Sequence, residues 1–307
     1  MSDRAKYIFF LLLALTVIGT IIVVLVLMVQ SGNVAILNPK GAIALYERDL
    51  FLGTIFLMLI VVIPVFILII SFTWIFRATN LAAKYTPEAE GSLILEIVWW
   101  VPPCVIILIL GLITWKSTHE LDPYAPLAET TPPITIQVVA LNWKWLFIYP
   151  NERIATVNFV QFPEKTPVNF QITADAPMNS FWIPQLGGQI YAMAGMMTKL
   201  HLIADGVGDY AGLSANYSGR GFSGMKFVAR STSQADFDRW VEEVRQDPDT
   251  LDGDAYARLA APSEKNPIEY YSSVPQDLYA KIIMKFMVPM QEIGDGHDDG
   301  EPVMHHN

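Results

Sequence analysis

Few residues in this 307-residue chain could do chemistry, and most of them lie in one loop, Gly212–Met225, which reads Gly-Leu-Ser-Ala-Asn-Tyr-Ser-Gly-Arg-Gly-Phe-Ser-Gly-Met. Ser214 and Ser218 stand four residues apart with Asn216 between them; Phe222 follows four residues on and Met225 three beyond that. Neither serine sits in a Gly-x-Ser-x-Gly elbow, and His201 is the only histidine in the neighbouring sequence that could act as a base, which argues against a hydrolase. As metal ligands the set is equally poor. A serine hydroxyl is a hard donor that keeps its proton near neutral pH, Phe222 has no donor atom, and the Met225 thioether alone does not make a metal site. Met225 is therefore expected in the core and the serines as small polar fillers, with Gly219, Gly221 and Gly224 permitting a tight backbone.

A second candidate is Glu96, about one turn into an otherwise uncharged hydrophobic run. An ionisable group in such a place is expensive and marks a functional position; the bland reading is a carboxylate reaching back to the interface near Gly91. His201 lies on the alternating run Leu200-His-Leu-Ile, as a histidine satisfied at a sheet edge would. His297, His305 and His306 fall in an acidic tail, 291–307, that reads as a flexible end and not as a metal site. Cys104 is the only cysteine and sits within an apolar run, so disulfides, thiolate clusters and an N-terminal lipid-acceptor cysteine are ruled out.

The elements that must position these groups fall into two parts. Residues 1–120 carry seven basic and seven acidic side chains, whereas 121–307 carry thirteen and twenty-three, so the net charge of −10 lies wholly in the second part. That balance argues against nucleic acid as a partner. Three uncharged apolar runs, 7–29, 50–76 and 93–115, are each long enough to cross a hydrocarbon core of about 30 Å. The first is read as a retained anchor, with cleavage after Ser31 or Gly32 left open. Pro64 lies in the middle of the second run, and Trp99, Trp100 and Trp115 flank the third. Arg4, Lys6, Arg77 and Lys84 mark the cytoplasmic side, placing the part after residue 117 outside.

The stretch 121–133 reads as a linker rich in proline, threonine and alanine. Beyond it, 134–232 contains six short β-branched or aromatic runs: Ile134–Leu141, Trp143–Tyr149, Ile154–Phe162, Val168–Thr173, Met197–Ala204 and Lys226–Arg230. Many short strands separated by turn residues predict an antiparallel sandwich or barrel. In 233–290 two helices are expected, one over Ser233–Gln246 with Ser233 as cap, and one from Pro275 to about Met287.

Four blocks carry a family resemblance: Leu141-Asn-Trp-Lys-Trp-Leu-Phe-Ile-Tyr-Pro150, Met178-Asn-Ser-Phe-Trp-Ile-Pro184, Gln189-Ile-Tyr-Ala-Met-Ala-Gly-Met196, and Tyr217-Ser-Gly-Arg-Gly-Phe-Ser-Gly-Met-Lys-Phe227. In this order, behind apolar helices and a proline-rich linker, they resemble subunit II of haem-copper terminal oxidases, and within it the bacterial cytochrome bo-type ubiquinol oxidase subunit. The resemblance covers nearly the whole chain. It implies two or three transmembrane helices, an all-β cupredoxin-like Greek-key barrel in the periplasm, and C-terminal helices. One departure is that Ser31-Gly32-Asn33 stands where the bo-type subunit usually has its lipidated cysteine.

The loop spacing matches the binuclear copper loop of that family, Cys-x-Glu-x-Cys-x-x-x-His-x-x-Met, with serine at 214 and 218 and phenylalanine at 222; of the ligand set the resemblance implies, only Met225 and the main-chain carbonyl of Asn216 remain, too few for copper. The resemblance also puts Asn179 where the upstream histidine ligand would be. It implies no cofactor in this chain, with haems and copper in subunit I, and a membrane quinol as donor because the entry point for electrons from cytochrome c is gone. Trp143 occupies the aromatic position that lies between donor and copper in copper-bearing relatives; its alternation with Trp145 reads as structural. Glu96 in Leu-Glu-Ile-Val-Trp matches a glutamate at the cytoplasmic mouth of a proton channel into subunit I. The implied partners are subunit I, the other subunits, lipid and, through the complex, ubiquinol. A reading from another class stays open on the residues alone: a membrane-tethered cupredoxin-like binding or assembly protein with no part in turnover.

Overall fold

A computed structural model describes residues 34–82, 91–127 and 131–287, with scattered positions between 16 and 27. Most of the first apolar run, 7–29, the basic positions Arg4, Lys6 and Lys84, and the tail 291–307 lie outside the described residues. Among the described residues two helices are long and apolar enough to cross a membrane: α1 (Ala42–Ile75) and α2 (Leu93–Glu120). Most of their side chains are exposed, as expected of spans that face lipid or other subunits.

Helix α1 starts eight residues before the apolar run at 50, so the second span is longer at its N-terminal end than that run. The reason is a tertiary cap. The Ala44 amide, an orphan donor of the first turn, donates to the carbonyl of Leu186 at 3.2 Å. Just upstream, the Lys40 amide donates to Gln185 (2.7 Å) and the Lys40 carbonyl accepts from Asp205 (2.9 Å). Gly41 makes this approach possible, since a Cβ there would lie 2.2 Å from the carbonyl oxygen of Ile203. Helix α2 likewise runs past residue 115 to Glu120, and the Tyr46 hydroxyl donates to Glu120 Oε2 at 2.5 Å, joining the ends of the two helices nearest the β-domain.

The β-domain is a two-sheet sandwich. Its strands are β1 (Ile134–Leu141), β2 (Lys144–Tyr149), β3 (Ile154–Val157), β4 (Phe159–Pro163), β5 (Val168–Ala174), β6 (Asn179–Trp182), β7 (Ile190–Ala192), β8 (Thr198–Leu202), β9 (Gly208–Ser214), β10 (Lys226–Thr232) and β11 (Glu269–Tyr271). One sheet has the order β11-β3-β2-β1-β5-β8, the other β4-β10-β9-β6-β7. The pairings β1 with β5 and β10 with β4 are parallel, and the remainder are antiparallel. This is the cupredoxin-like arrangement.

The single strand predicted over Ile154–Phe162 is two strands in different sheets. Asn158 breaks it with φ 55, its Oδ1 accepting from the Trp145 amide (2.9 Å) and its Nδ2 donating to the Asn266 carbonyl (3.0 Å). The chain thereby turns a corner of the sandwich. Trp145, Phe147, Phe181 and Phe227 fill the space between the sheets, with the last two rings stacked at 5.1 Å.

A second core lies on the outer face of the first sheet. There Val139, Leu141, Leu146, Ile148, Ala155 and Val157 are covered by residues from the C-terminal segment, among them Leu251, Leu259 and Tyr279. This segment holds α3 (Gln234–Arg245), capped by Ser233 Oγ, and α5 (Leu278–Met284), shorter than the predicted 275–287. Between them is α4 (Gly253–Ala260), which the sequence reading did not predict; Asp252 caps it through its bond from the Ala255 amide (2.8 Å).

Candidate functional site

The loop from Ser214 to Met225 joins β9 to β10 at one end of the sandwich. Ser214, at the end of β9, is buried; its Oγ donates to Asn179 Oδ1 at 2.9 Å, and Asn179, at the start of β6, is 1% exposed. Asn179 Nδ2 donates to the Pro177 carbonyl (2.7 Å), and Asn216 Nδ2 to the Met178 carbonyl (3.0 Å). Met225 is 1% exposed in the core between the sheets, and its carbonyl accepts from the Ser214 amide at 3.2 Å. Ser214, Asn179, Asn216 and Met225 are thus gathered at one place.

Ser218 and Phe222 belong to the outer half of the loop. Phe222 packs edge-on against Tyr217, ring centroids 5.6 Å apart, and Ser218 Oγ is buried with no hydrogen-bond partner among the described residues. The donors available at this end are amides, hydroxyls, one thioether and carbonyls. Ser214, Asn179 and Asn216 are hydrogen-bonded to one another or to nearby carbonyls while Ser218 Oγ is not, and none of the donors is a thiolate or an imidazole, so the set does not fit a copper pair cycling by one electron. Among the described residues no three His, Cys, Asp or Glu side chains are grouped as metal ligands.

Trp143 holds the loop down. It lies in the two-residue turn between β1 and β2 with φ 63, and its Nε1 donates to the Ser218 carbonyl at 3.0 Å. A Cβ on Gly221 would come within 2.5 Å of the indole, and Gly219 has φ 111 beside it. Gly221→Val is expected to push the indole off the loop and cost about 1–3 kcal/mol, as overpacking does. Red-shifted tryptophan fluorescence and a lowered Tm would check it.

Lys144, the next residue, was not picked out from the sequence. It is 2% exposed and its Nζ donates to the carbonyls of Leu259 (2.7 Å) and Ala261 (3.1 Å) and to Ser263 Oγ (2.5 Å). Burial pulls its ammonium below the ordinary lysine range, partly offset by Glu269. On the opposite side Asp175, 7% exposed, accepts from Tyr256 (2.7 Å) and Lys285 (2.7 and 3.0 Å). Burial, reinforced by this bond, pushes the Tyr256 phenol up, so it remains a donor. These two clamps fix the C-terminal segment on the β-domain.

Residues 245–290, the segment so clamped, match the model of the COX Aromatic Rich Motif family. The cytochrome bo(3) ubiquinol oxidase subunit 2 of Pseudomonas putida is 54% identical over 260 residues, 85% of this chain and 83% of that protein. The chain belongs to the cytochrome bo-type ubiquinol oxidase subunit 2 family. The ubiquinol oxidase subunit 2 of Acetobacter aceti is 47% identical over 85% of each chain. Among solved structures, the periplasmic domain of subunit II of cytochrome oxidase of Bradyrhizobium japonicum aligns with 38% of this chain and 96% of its own, at 20% identity and a TM-score of 0.36.

As a bo-type subunit 2, the chain is a membrane-anchored part of a quinol:oxygen oxidoreductase. Glu96 lies at the other end of the molecule from the loop, in the first turn of α2, exposed, with its Oε1 3.3 Å from where a Cβ on Gly91 would be. His201 lies on β8 with its Nδ1 3.0 Å from the Pro123 carbonyl, so the ring is tied to the chain leaving α2.

Proposed function

We propose that this chain is the subunit II of a proton-pumping ubiquinol:oxygen oxidoreductase of a bacterial inner membrane, with its β-domain in the periplasm. It carries no redox cofactor. It caps the outer face of subunit I, which holds the haems and the oxygen-reducing copper, and it presents Glu96 at the proton-uptake entrance.

The observation that carries this reading is the Ser214–Met225 loop, whose backbone is pinned by Trp143 and Asn216 while the positions that would hold copper are filled by Ser214, Ser218, Phe222 and Asn179. A fold kept for shape without an electron entry point fits a donor that is oxidised elsewhere, and quinol in the membrane is that donor. The exposed flanks of α1 and α2 supply a surface for a larger membrane partner.

Purification in mild detergent tests the assembly: the chain is expected to co-migrate with a haem-containing large subunit, and migration alone would refute the proposal. Glu96→Gln removes the titratable proton while keeping size. It is expected to slow quinol-driven oxygen reduction by about tenfold or more without loss of haem, in line with removing a positioned proton-transfer group. Unchanged turnover would remove Glu96 from the path.

A further inference from the structure

Where the two membrane helices meet the β-domain there is a second polar constellation, well apart from the loop. A cavity of about 320 Å³ is lined by Glu47 from α1, Glu120 from the last turn of α2, Asp122 in the linker, and His201 from β8, with Ile43 and Leu200 among its apolar walls. His201 is 8% exposed. Its strand alternates, Leu200 and Leu202 entering the sandwich core, so the imidazole points the other way, towards the helix junction. Nδ1 faces the Pro123 carbonyl at 3.0 Å and must therefore carry the hydrogen; Nε2, left as the basic nitrogen, has no partner among the described residues.

The carboxylates are held by separate elements. Glu47 accepts a hydrogen bond from the Gly188 amide, and a Cβ on Gly188 would lie 2.8 Å from its Oε1. Glu120 accepts from the Tyr46 hydroxyl at 2.5 Å and has Lys116 at 3.7 Å; Asp122 accepts from the Tyr124 amide at 2.9 Å. These groups do not converge on one point as metal ligands would. A polar cavity of this size holds water, and water linking an imidazole to carboxylates conducts protons.

We propose that this cavity is the outer proton-release site of the oxidase, with His201 Nε2 and Glu47 as the groups that pass the proton on. The proposal rests on the oxidase reading above. Oxidation of one quinol yields one quinone, two electrons and two protons; the electrons go to oxygen through the haem-bearing subunit, the two protons are released to water, and an exit on the side of the β-domain runs past this cavity. Glu47, Glu120 and Asp122 sit at the ends of the two spans nearest the β-domain, where such protons would emerge, and Nε2 of His201, with no partner among the described residues, can accept a proton and hand it on.

The test uses the purified holoenzyme reconstituted in vesicles, with a pH dye bound at the outer surface and oxygen consumption followed in parallel after a quinol pulse. His201→Asn keeps a side-chain NH for the Pro123 carbonyl but removes the relay nitrogen; Glu47→Gln keeps an acceptor for Gly188. Each variant is expected to delay the appearance of protons outside by about tenfold relative to oxygen uptake, less than for direct transfer because cavity water remains. Proton release at the wild-type rate in both variants would overturn the proposal. Loss of quinol oxidation in the unaltered complex would refute the oxidase reading instead.

Discussion

Ser214→Cys, Ser218→Cys, Asn179→His and Phe222→His together should convert the copper-free domain into one that binds about two copper ions per chain, with intense visible thiolate-to-copper absorption. The scaffold for it is already in place. Met225 is buried beneath the loop, the Asn216 carbonyl lies 3.4 Å from Ser214 Oγ, and Ser214 Oγ lies 2.9 Å from Asn179 Oδ1, so cysteine and histidine at those two positions would meet. Cysteine at 218 replaces a hydroxyl that has no partner, so little is lost there. Phe222 is the larger change, because it gives up its packing on Tyr217.

The two serine substitutions alone should bind copper weakly, because bridging thiolates without imidazoles leave each metal under-coordinated. Copper analysis and visible spectra of the reduced, reconstituted protein decide it. No thiolate band in the fourfold variant would mean that the loop no longer has the ligand geometry that its spacing implies. Quinol oxidation should be unaffected, since in the proposed mechanism electrons never enter through this loop.

Much of the β-domain was legible because its strands bury apolar side chains in short runs bounded by turn residues: β1 occupies Ile134–Leu141, as predicted, and β10 begins at Lys226. What was not legible depended on contacts distant in sequence. The corner at Asn158 is set by the Asn266 carbonyl, 108 residues away, and nothing in Ile154–Phe162 itself announces it. β6, β7 and β9 were missed because Asn179–Trp182 is short and Gly208–Ser214 is glycine-rich, so their pattern comes from pairing with neighbours. The first sheet reads as almost continuously apolar because both of its faces are covered, one by the second sheet and one by the C-terminal segment.

At the candidate site, spacing brought out Ser214, Asn216, Ser218, Phe222 and Met225, and the fold places the loop that carries them over the end of the core. Trp143 was read from its alternation with Trp145, yet it sits in a turn with a left-handed backbone and packs on Gly221, whereas Trp145 lies in the core. Alternation does not hold across a turn. The constellation joins Glu47, the adjoining Glu120 and Asp122, and His201, three places in the chain with more than seventy residues between each and the next, and no local motif could show it.

Lys144→Met is expected to destabilise the protein by about 2 kcal/mol and to free the C-terminal segment from the β-domain. The ammonium closes the end of α4: the Leu259 carbonyl lies in the last turn, where carbonyls have no partner within the helix, and the Ala261 carbonyl lies just past it. Methionine fills the volume but leaves both carbonyls and Ser263 without that donor. The loss is smaller than the sum of three charged hydrogen bonds because the buried ammonium itself costs free energy, which the methionine variant recovers. Lys144→Arg should not rescue it, since a planar guanidinium cannot point three donors at the positions a compact ammonium reaches. The cost of burying the charge also fixes a sign with pH. Burial holds the folded-state pKa below the ordinary 10.5, so the folded chain binds this proton less readily than the unfolded one. The penalty is full below the folded pKa and fades as pH rises through it towards 10.5, so Lys144 gives the native protein a rise in stability over that alkaline window. Lys144→Met should lack this rise. Denaturant unfolding at neutral and alkaline pH measures both effects, and limited proteolysis between residues 261 and 268 should be several-fold faster in the variant if the clamp is what holds α4 down. Equal stability and equal cleavage would show that the second hydrophobic core alone keeps the segment in place.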